Sequence, residues 1–241
     1  MKLIFLGTRG GIKARSPKHF WQSSLLISFR RTRIRIDYGS DWQVQKVPSN
    51  IKGILITHAH PDHVGGISPT MSIPLYTTQE TWSIFKKPLL TAHVIRPYEP
   101  FLIGSLLIEV IPVYHSLRAP AVGYKIRGGN HTLVYIPDAV GLIDPHKVLN
   151  DIDPFIGDGA LVKRTLLKRT KQGVPVGHWP IREQLALSAR YNVPRALFTH
   201  CGTELVTGDE VEHEKLINQM GKELGLKAGI AFDGMQLTIK T

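Results

Sequence analysis

Ile51-Lys52-Gly53-Ile54-Leu55-Ile56-Thr57-His58-Ala59-His60-Pro61-Asp62-His63-Val64-Gly65-Gly66 is the stretch on which the reading of this chain turns. Its first six residues are an apolar, β-branched run that predicts a buried strand, so the polar side chains after it sit where a strand ends and a loop can aim them together. Three histidines and a carboxylate between positions 58 and 63 offer imidazole nitrogens and an anionic oxygen, a donor set suited to zinc or a similar first-row divalent ion. His58 and His60, two apart in extended geometry, point to the same side and can share one ion. Pro61 forces a turn, which directs Asp62 and His63 toward a second ion, and Gly65-Gly66 permits tight packing as the chain enters a helix.

Size and composition bound what surrounds this loop. A chain of 241 residues can bury a good core, and without a Pro/Gly/Ser linker it is expected to form one domain, 1–241. No apolar run approaches the roughly 20 residues needed to span a bilayer. The opening Met1-Lys2-Leu3-Ile4-Phe5-Leu6-Gly7 reads as a strand rather than a leader, so a cytoplasmic protein with no membrane contact is expected. One cysteine, Cys201, excludes a disulfide framework and a cysteine-rich metal site. The formal charge is +11, with no Asp or Glu before Asp37 and a second basic cluster at Lys163, Arg164, Lys168, Arg169 and Lys171. Such a field favours small anionic ligands, phosphate esters and nucleic acid, while serving solubility equally well. It also leaves open whether these clusters face substrate or a second subunit of a homodimer.

Taken in order, Gly7-Thr8-Arg9-Gly10-Gly11 is a glycine-rich turn whose backbone could approach an anion, with Arg9 placed to pair a phosphate. Residues 24–29 and 32–37 read as paired strands, the second alternating apolar and basic residues, so that one face is buried and the other cationic. Strands are expected at 73–76 and on both sides of Gly104-Ser105, a helix at 79–87, and a hairpin around Gly128-Gly129-Asn130. Further strands are expected at 196–199, 228–232 and 235–239, and a last helix at 213–224. Four residues besides the first cluster close apolar runs: Asp37, His115, Asp138 and His200. His178, beside Pro180 and an expected helix start, stands next to helix N–H groups that could hold phosphate, or is simply a capping-region residue.

The pattern His58-x-His60-x-Asp62-His63 resembles the second motif of the metallo-β-lactamase superfamily, and the later strand-end residues follow in that family's order. The resemblance implies an αββα sandwich, α/β in class, of two mixed sheets flanked by helices; periodicity alone gives only mixed α/β. It also implies two divalent metal ions, zinc foremost, with manganese or iron also accommodated by such ligands. One ion would take His58, His60 and His115, the other Asp62, His63 and His200, with Asp138 between them and Asp37 supporting the ligand loop from behind. Asp62 would additionally orient the attacking hydroxide. The opening Leu3-Ile4-Phe5-Leu6-Gly7-Thr8 resembles ribonuclease Z and its phosphodiesterase relatives, in which a histidine comparable to His178 contacts phosphate and protonates the leaving oxygen. Trp179-Pro180 departs from that group's pattern.

Only 22 residues separate His115 from Asp138, leaving no room for the arm with which ribonuclease Z grips transfer RNA. The expectation is therefore a dinuclear phosphodiesterase acting on a small or cyclic phosphodiester or nucleotide. A lactonase or esterase on the same metals is the alternative, and a nucleic-acid-binding protein with a vestigial site ranks last.

Overall fold

The pleat of a strand sorts alternate residues onto opposite faces, and in this chain both faces of the central strands are apolar and covered. In the computed structural model, which describes residues 1–45, 50–85, 90, 92–164, 166–171 and 173–240, two mixed sheets result. The first contains β1 (Lys2–Gly7), β2 (Ser24–Phe29), β3 (Thr32–Ile36), β4 (Ile54–Leu55), β5 (Leu75–Thr77), β6 (Ala92–Val94) and the late strand β17 (Gln236–Thr238), in the order β17-β1-β2-β3-β4-β5-β6. Pairing is antiparallel from β17 to β3 and parallel from β3 to β6.

The second sheet holds β7 (Phe101–Ile103), β8 (Leu106–Tyr114), β9 (Ala121–Gly128), β10 (His131–Tyr135), β11 (Gly141–Leu142), β12 (Phe155–Asp158), β15 (Arg195–Thr199) and β16 (Lys227–Ile230). Its order is β11-β8-β9-β10-β12-β15-β16, with β7 also paired to β8. The β8-β9-β10 meander is antiparallel, and β10, β12, β15 and β16 run parallel. A separate two-stranded ribbon, β13 (Leu166–Arg169) with β14 (Pro175–His178), interrupts the chain between β12 and β15.

Three apolar layers follow from the alternation. Leu3, Phe5, Leu25 and Ile27 of the first sheet meet Tyr124, Ile126, Leu133 and Tyr135 of the second between the sheets. Their intervening neighbours face outward: Leu26, Ile54 and Ile56 pack with Trp42 and Val64, and Val134, Phe155, Ala196 and Phe198 pack with Ile181, Leu185 and Ile217. The helices α1 (Pro61–Val64) and α2 (Gln79–Phe85) thus cover the first sheet. The second is covered by α3 (Pro145–Leu149), α4 (Ile181–Arg190), α5 (Thr203–Thr207) and α6 (Glu210–Glu223). Burying each such Leu or Ile is worth about 1.5–3 kcal/mol, so these layers hold the sandwich shut. No helix among the described residues is long and apolar enough to cross a membrane.

Three local expectations are corrected. The basic face of β3 is not open: Arg35 is buried, its guanidinium 4.1 Å from the Tyr38 ring and 4.3 Å from that of Trp42, because the 3-10 turn Ser40–Trp42 folds over it. Gly65-Gly66 does not open a helix but follows α1, and a Cβ on Gly66 would lie 2.3 Å from the Gly39 carbonyl oxygen. The last helix, expected at 213–224, starts three residues earlier and ends at Glu223, leaving Leu224 exposed beyond its end. The predicted end of the 79–87 helix lies outside the described residues.

The loop between β1 and β2 is fastened to the other end of the chain. Asp233 accepts hydrogen bonds from the Phe20 and Trp21 N–H groups and from the Thr8 hydroxyl at 2.7 Å. With Thr8 donating to Asp233, the His19 ring donates its Nδ1–H to Thr8 Oγ1, 2.7 Å away. Burial lowers His19 to about 4, assisted by Lys18 and opposed by Glu210. The unfolded chain binds this proton near pH 6.5 and the folded one only near 4, so the contribution is complete above 6.5 and lost as pH falls to 4, about 3 kcal/mol in all. Urea unfolding of wild type and His19→Gln at pH 7.5, 5.5 and 4.5 should show the steeper decline in the wild type; parallel declines would exclude His19 as its source.

Candidate metal centre

Because β9 reverses between β8 and β10, strands β8, β10, β12 and β15 all point the same way. Their C-terminal ends share one edge of the second sheet, and there the chain places His115, Asp138, Asp158 and His200. The first sheet delivers Thr57 and His58 just past β4, and a Val122 N–H to Thr57 carbonyl bond of 3.0 Å ties the two sheets beside them. The loop after β1 supplies the floor. Gly10 N–H donates to the Cys201 carbonyl at 3.0 Å, and a Cβ on Gly11 would stand 3.0 Å from an Asp62 carboxylate oxygen. These glycines let the backbone approach the cluster, but the Gly10 N–H expected to face an anion is taken by the Cys201 carbonyl.

Two groups of donors converge. His58 Nε2 lies 2.9 Å from His60 Nδ1, which lies 3.3 Å from His115 Nε2. In the second, Asp62 Oδ2 is 3.1 Å from His200 Nε2 and 3.4 Å from His63 Nε2. Asp138 stands between them, its Oδ2 3.7 Å from His58 Nε2 and 3.6 Å from His200 Nε2. Within each of the groups His58-His60-His115-Asp138, Asp62-His63-His200 and Asp138-His178-His200, the donor atoms lie within 4.8 Å of one another.

The donor chemistry fits divalent cations. Buried His63 Nε2, His115 Nδ1, Asp138 Oδ1 and His200 Nδ1 have no hydrogen-bond partner; His115 Nδ1 and Asp138 Oδ1 approach to 2.9 Å without hydrogen-bond alignment. Each unsatisfied buried polar atom costs about 1–3 kcal/mol, and several at one spot are retained where a ligand completes them. The opposite ring nitrogens are fixed from behind. His63 Nδ1 pairs with Asp37 Oδ2 at 2.8 Å, and Thr57 Oγ1 touches His58 Nδ1 at 3.1 Å while donating to the Asp37 carboxylate. Asp37 also accepts the Thr57 N–H at 2.8 Å, so it holds the loop from behind. Such outer partners set the tautomer and aim the inner nitrogen.

Electrostatics divides the histidines. Burial lowers His58 and His60, with His63 adding to the effect on His58 and His115 to that on His60. His63 is also buried, yet Asp62 and Asp37 outweigh this and raise it well above the ordinary value. Burial alone would raise Asp62 and Asp138; His63 and His200 hold Asp62 low, and His200 and His115 hold Asp138 low.

His178 ends β14 and reaches the same cluster. Its Nδ1 is 2.9 Å from Asp158 Oδ2 and 3.2 Å from Asp138 Oδ1, and against the effect of burial these carboxylates raise it to about 11. The helix N–H groups expected beside it are taken: Ile181 and Arg182 donate to the Leu161 and Val162 carbonyls at 2.9 and 3.1 Å. What His178 presents to the cluster is therefore its ring and not a helix end.

Arg9 is likewise corrected. Its guanidinium is buried, paired with Asp41 and bonded to the Phe20, Gly10 and Ile12 carbonyls, so it braces the β1–β2 loop and offers no phosphate contact. Asp158 was missed by the sequence reading. Fully buried, it orients His178 and accepts the Ala160 N–H at 2.7 Å. The run Phe155-Ile156-Gly157-Asp158 carries the same signal, an apolar strand closing on a carboxylate, that marked Asp138.

An edge where histidines and aspartates from two helix-covered sheets converge defines the metallo-β-lactamase class of fold, whose members are metal-dependent hydrolases. Residues 32–201 match the beta-lactamase superfamily domain, and the chain belongs to that superfamily, in its ribonuclease Z-like branch. It is 30% identical over 135 residues to an octanoyltransferase of Porphyromonas gingivalis, covering 46% of this chain and 27% of that protein. It is 26% identical over 155 residues to a ribonuclease Z of Thermosynechococcus vestitus, covering 54% of this chain and 37% of the relative. These matches thus span about a quarter to two-fifths of the relatives' length. Among solved structures it resembles the metallo-beta-lactamase fold protein YhfI of Bacillus subtilis (TM-score 0.77, 18% identity, 98% of each chain). It also resembles a diphosphatase from the PhnP family (TM-score 0.73, 19% identity, 99% of this chain and 98% of that one). At these identities the structural likeness shows the fold.

Replacing Asp37 by Asn keeps its shape but puts an amide NH2 where Thr57 and His63 need acceptors. Thermal unfolding should show a loss of about 2–4 kcal/mol, and zinc titration should show weakening of the Asp62-His63-His200 group in particular. Unchanged zinc affinity in a folded Asp37→Asn protein would show that this carboxylate does not aim His63.

Proposed function

We propose that the chain is a dinuclear, metal-dependent phosphodiesterase acting on a small or flexible phosphodiester, cyclic ones included. The observation that carries this is the pair of three-residue donor groups flanking Asp138 at the floor of an open cleft of about 230 Å³. His58, His60 and His115 would hold one ion and Asp62, His63 and His200 the other, with Asp138 shared. Zinc suits these ligands best, and manganese or iron is also accommodated. Bound there, two dications supply an activated water at neutral pH and stabilise the negative charge that develops on the phosphoryl oxygens.

The chain's own residues do the rest. Asp62, kept ionised by its histidine neighbours, accepts a hydrogen bond from the attacking water and orients its lone pair. Asp158 and Asp138 raise His178 and favour its protonated form; with Nδ1 engaged, Nε2 is left for the cleft that the ring lines. A proton held there is suited to the leaving alkoxide of a phosphodiester. Gly10, Gly11 and Gly202 line the cleft without side chains, leaving space for the substrate.

The basic balance of the chain and the kinship with ribonuclease Z support a phosphodiester over a neutral lactone. Folded transfer RNA is not favoured as the substrate. The residues between His115 and Asp138 are taken up largely by β9 and β10, both inside the sheet.

Purified protein should contain about two transition-metal ions per chain and hydrolyse bis-p-nitrophenyl phosphate in a chelator-sensitive way. His58→Ala should lower the rate at least a hundredfold and reduce the bound metal. Full activity in that variant would sink the assignment of the metal ligands. Faster cleavage of a neutral lactone than of the phosphodiester at matched concentration would replace phosphodiesterase by lactonase, and absence of metal with salt-sensitive nucleic-acid binding would replace both.

A further inference from the structure

The ribbon β13–β14 is a basic arm rooted in the metal centre. It leaves the sheet after Ala160, which lines the cleft, and returns at His178. Its returning strand is pinned beside the site by a 3.1 Å hydrogen bond from Gly177 N–H to the His115 carbonyl. The outgoing segment carries Lys163, Arg164, Lys168, Arg169 and Lys171, all exposed. Arg169 is occupied, its guanidinium donating to the Gly173 carbonyl at 3.1 Å across the ribbon's turn. The Lys168 backbone is held in the ladder opposite Val176, while its ammonium makes no ion pair or side-chain hydrogen bond among the described residues.

Register decides which cation serves the site. Lys168 pairs with Val176, two residues before His178, whereas Arg169 pairs with Pro175. In a two-residue repeat, Lys168, Val176 and His178 share one face of the ribbon, and Arg169 lies on the other. The His178 face is the one turned to the metal donors, since its Nδ1 touches Asp138 and Asp158. Lys168 therefore stands on that face one strand repeat out from His178, about 7 Å along the ribbon. A single phosphoryl group held among the histidines would sit beside His178; an ammonium one repeat farther meets the next charge of a longer substrate.

We propose that Lys168 is a specificity-determining residue that binds a second phosphate of the substrate, one nucleotide away from the scissile phosphodiester. The preferred substrate class is then a diester within or at the end of a short nucleotide chain, or a nucleoside carrying a further phosphate, over an isolated diester. This rests on the phosphodiesterase reading for its catalytic half, while the binding half is measurable without turnover.

Two pairs of compounds separate the cases. The binding pair is thymidine 5′-phosphate and thymidine 3′,5′-bisphosphate, titrated calorimetrically; the kinetic pair is the p-nitrophenyl ester of thymidine 5′-phosphate and the same ester carrying a 3′-phosphate. Wild type should bind the bisphosphate about tenfold more tightly and show a correspondingly lower KM for the 3′-phosphorylated ester. Lys168→Gln should remove about fivefold or more of that preference, raise KM with little change in kcat, lessen its salt dependence by about one counterion, and leave the singly phosphorylated compounds unaffected. Lys168→Arg should restore it, and removing a charge elsewhere, in Lys222→Gln on α6, should not alter it. Equal affinity for both ligands in the wild type, or equal losses on both in Lys168→Gln, would overturn the proposal even if diesters are cleaved. A Lys168-dependent preference without cleavage of either ester would uphold the phosphate site and reject the phosphodiesterase.

Discussion

The hydrogen bonds of one buried carboxylate hold both the fold and the site. Asp37 is wholly buried, in a left-handed backbone conformation at the end of β3, with its N–H on the Leu55 carbonyl. An uncompensated carboxylate in such a position would cost several kcal/mol. Its compensation comes from the Thr57 N–H, the Thr57 hydroxyl and the His63 ring, and its own carbonyl takes up the Ser24 hydroxyl and Arg35 Nε. The directions of His58 and His63 are thereby inherited from the pairing of β3 with β4. A shift of that pairing by one residue would leave the carboxylate buried without partners, so the sheet register and the ligand geometry are specified together.

Around that anchor, the protein separates its charges. Lysines and arginines are mostly at the surface, while Asp37, Asp62, Asp138 and Asp158 gather inside with the histidines. Protons and metal ions compete for the same donors. Carboxylates raise His63 and His178 and favour their protonated forms, whereas burial lowers His58 and His60 and favours the neutral form that ligates. Loading the site with cations must release protons, which couples metal affinity to pH.

Much of this was legible in the sequence because the signals were local. An apolar run closing on a histidine or aspartate marks a strand whose last side chain leaves the sheet at its edge, and His58, His115, Asp138 and His200 all obey that rule. Arg9 was misread because a guanidinium beside two glycines looks available, and only the tertiary fold brings Asp41 and three carbonyls to it. Arg35 was misread for the same reason, since alternation states which face a side chain occupies and not what covers it. The ribbon Leu166–Arg169 with Pro175–His178 went unseen because its basic residues read as a charge cluster. The helix start after Pro180 was sound, but the carbonyls that occupy its first N–H groups come from residues some twenty positions earlier.

The dispersal of the site along the chain bears on how the protein is made. Asp62 and His200, which meet at 3.1 Å, are 138 positions apart. A ribosome that has released the His58-to-His63 loop has produced a short peptide able to chelate an ion loosely, but not β8, β10 or β15, whose ends complete the two groups. Stable metal capture must therefore await synthesis of β15 and of His200 directly after it. Until then the nascent chain exposes an unfinished cluster of imidazoles, and the glycine floor at Gly10 and Gly11, although made first, closes on Cys201 only when that strand arrives.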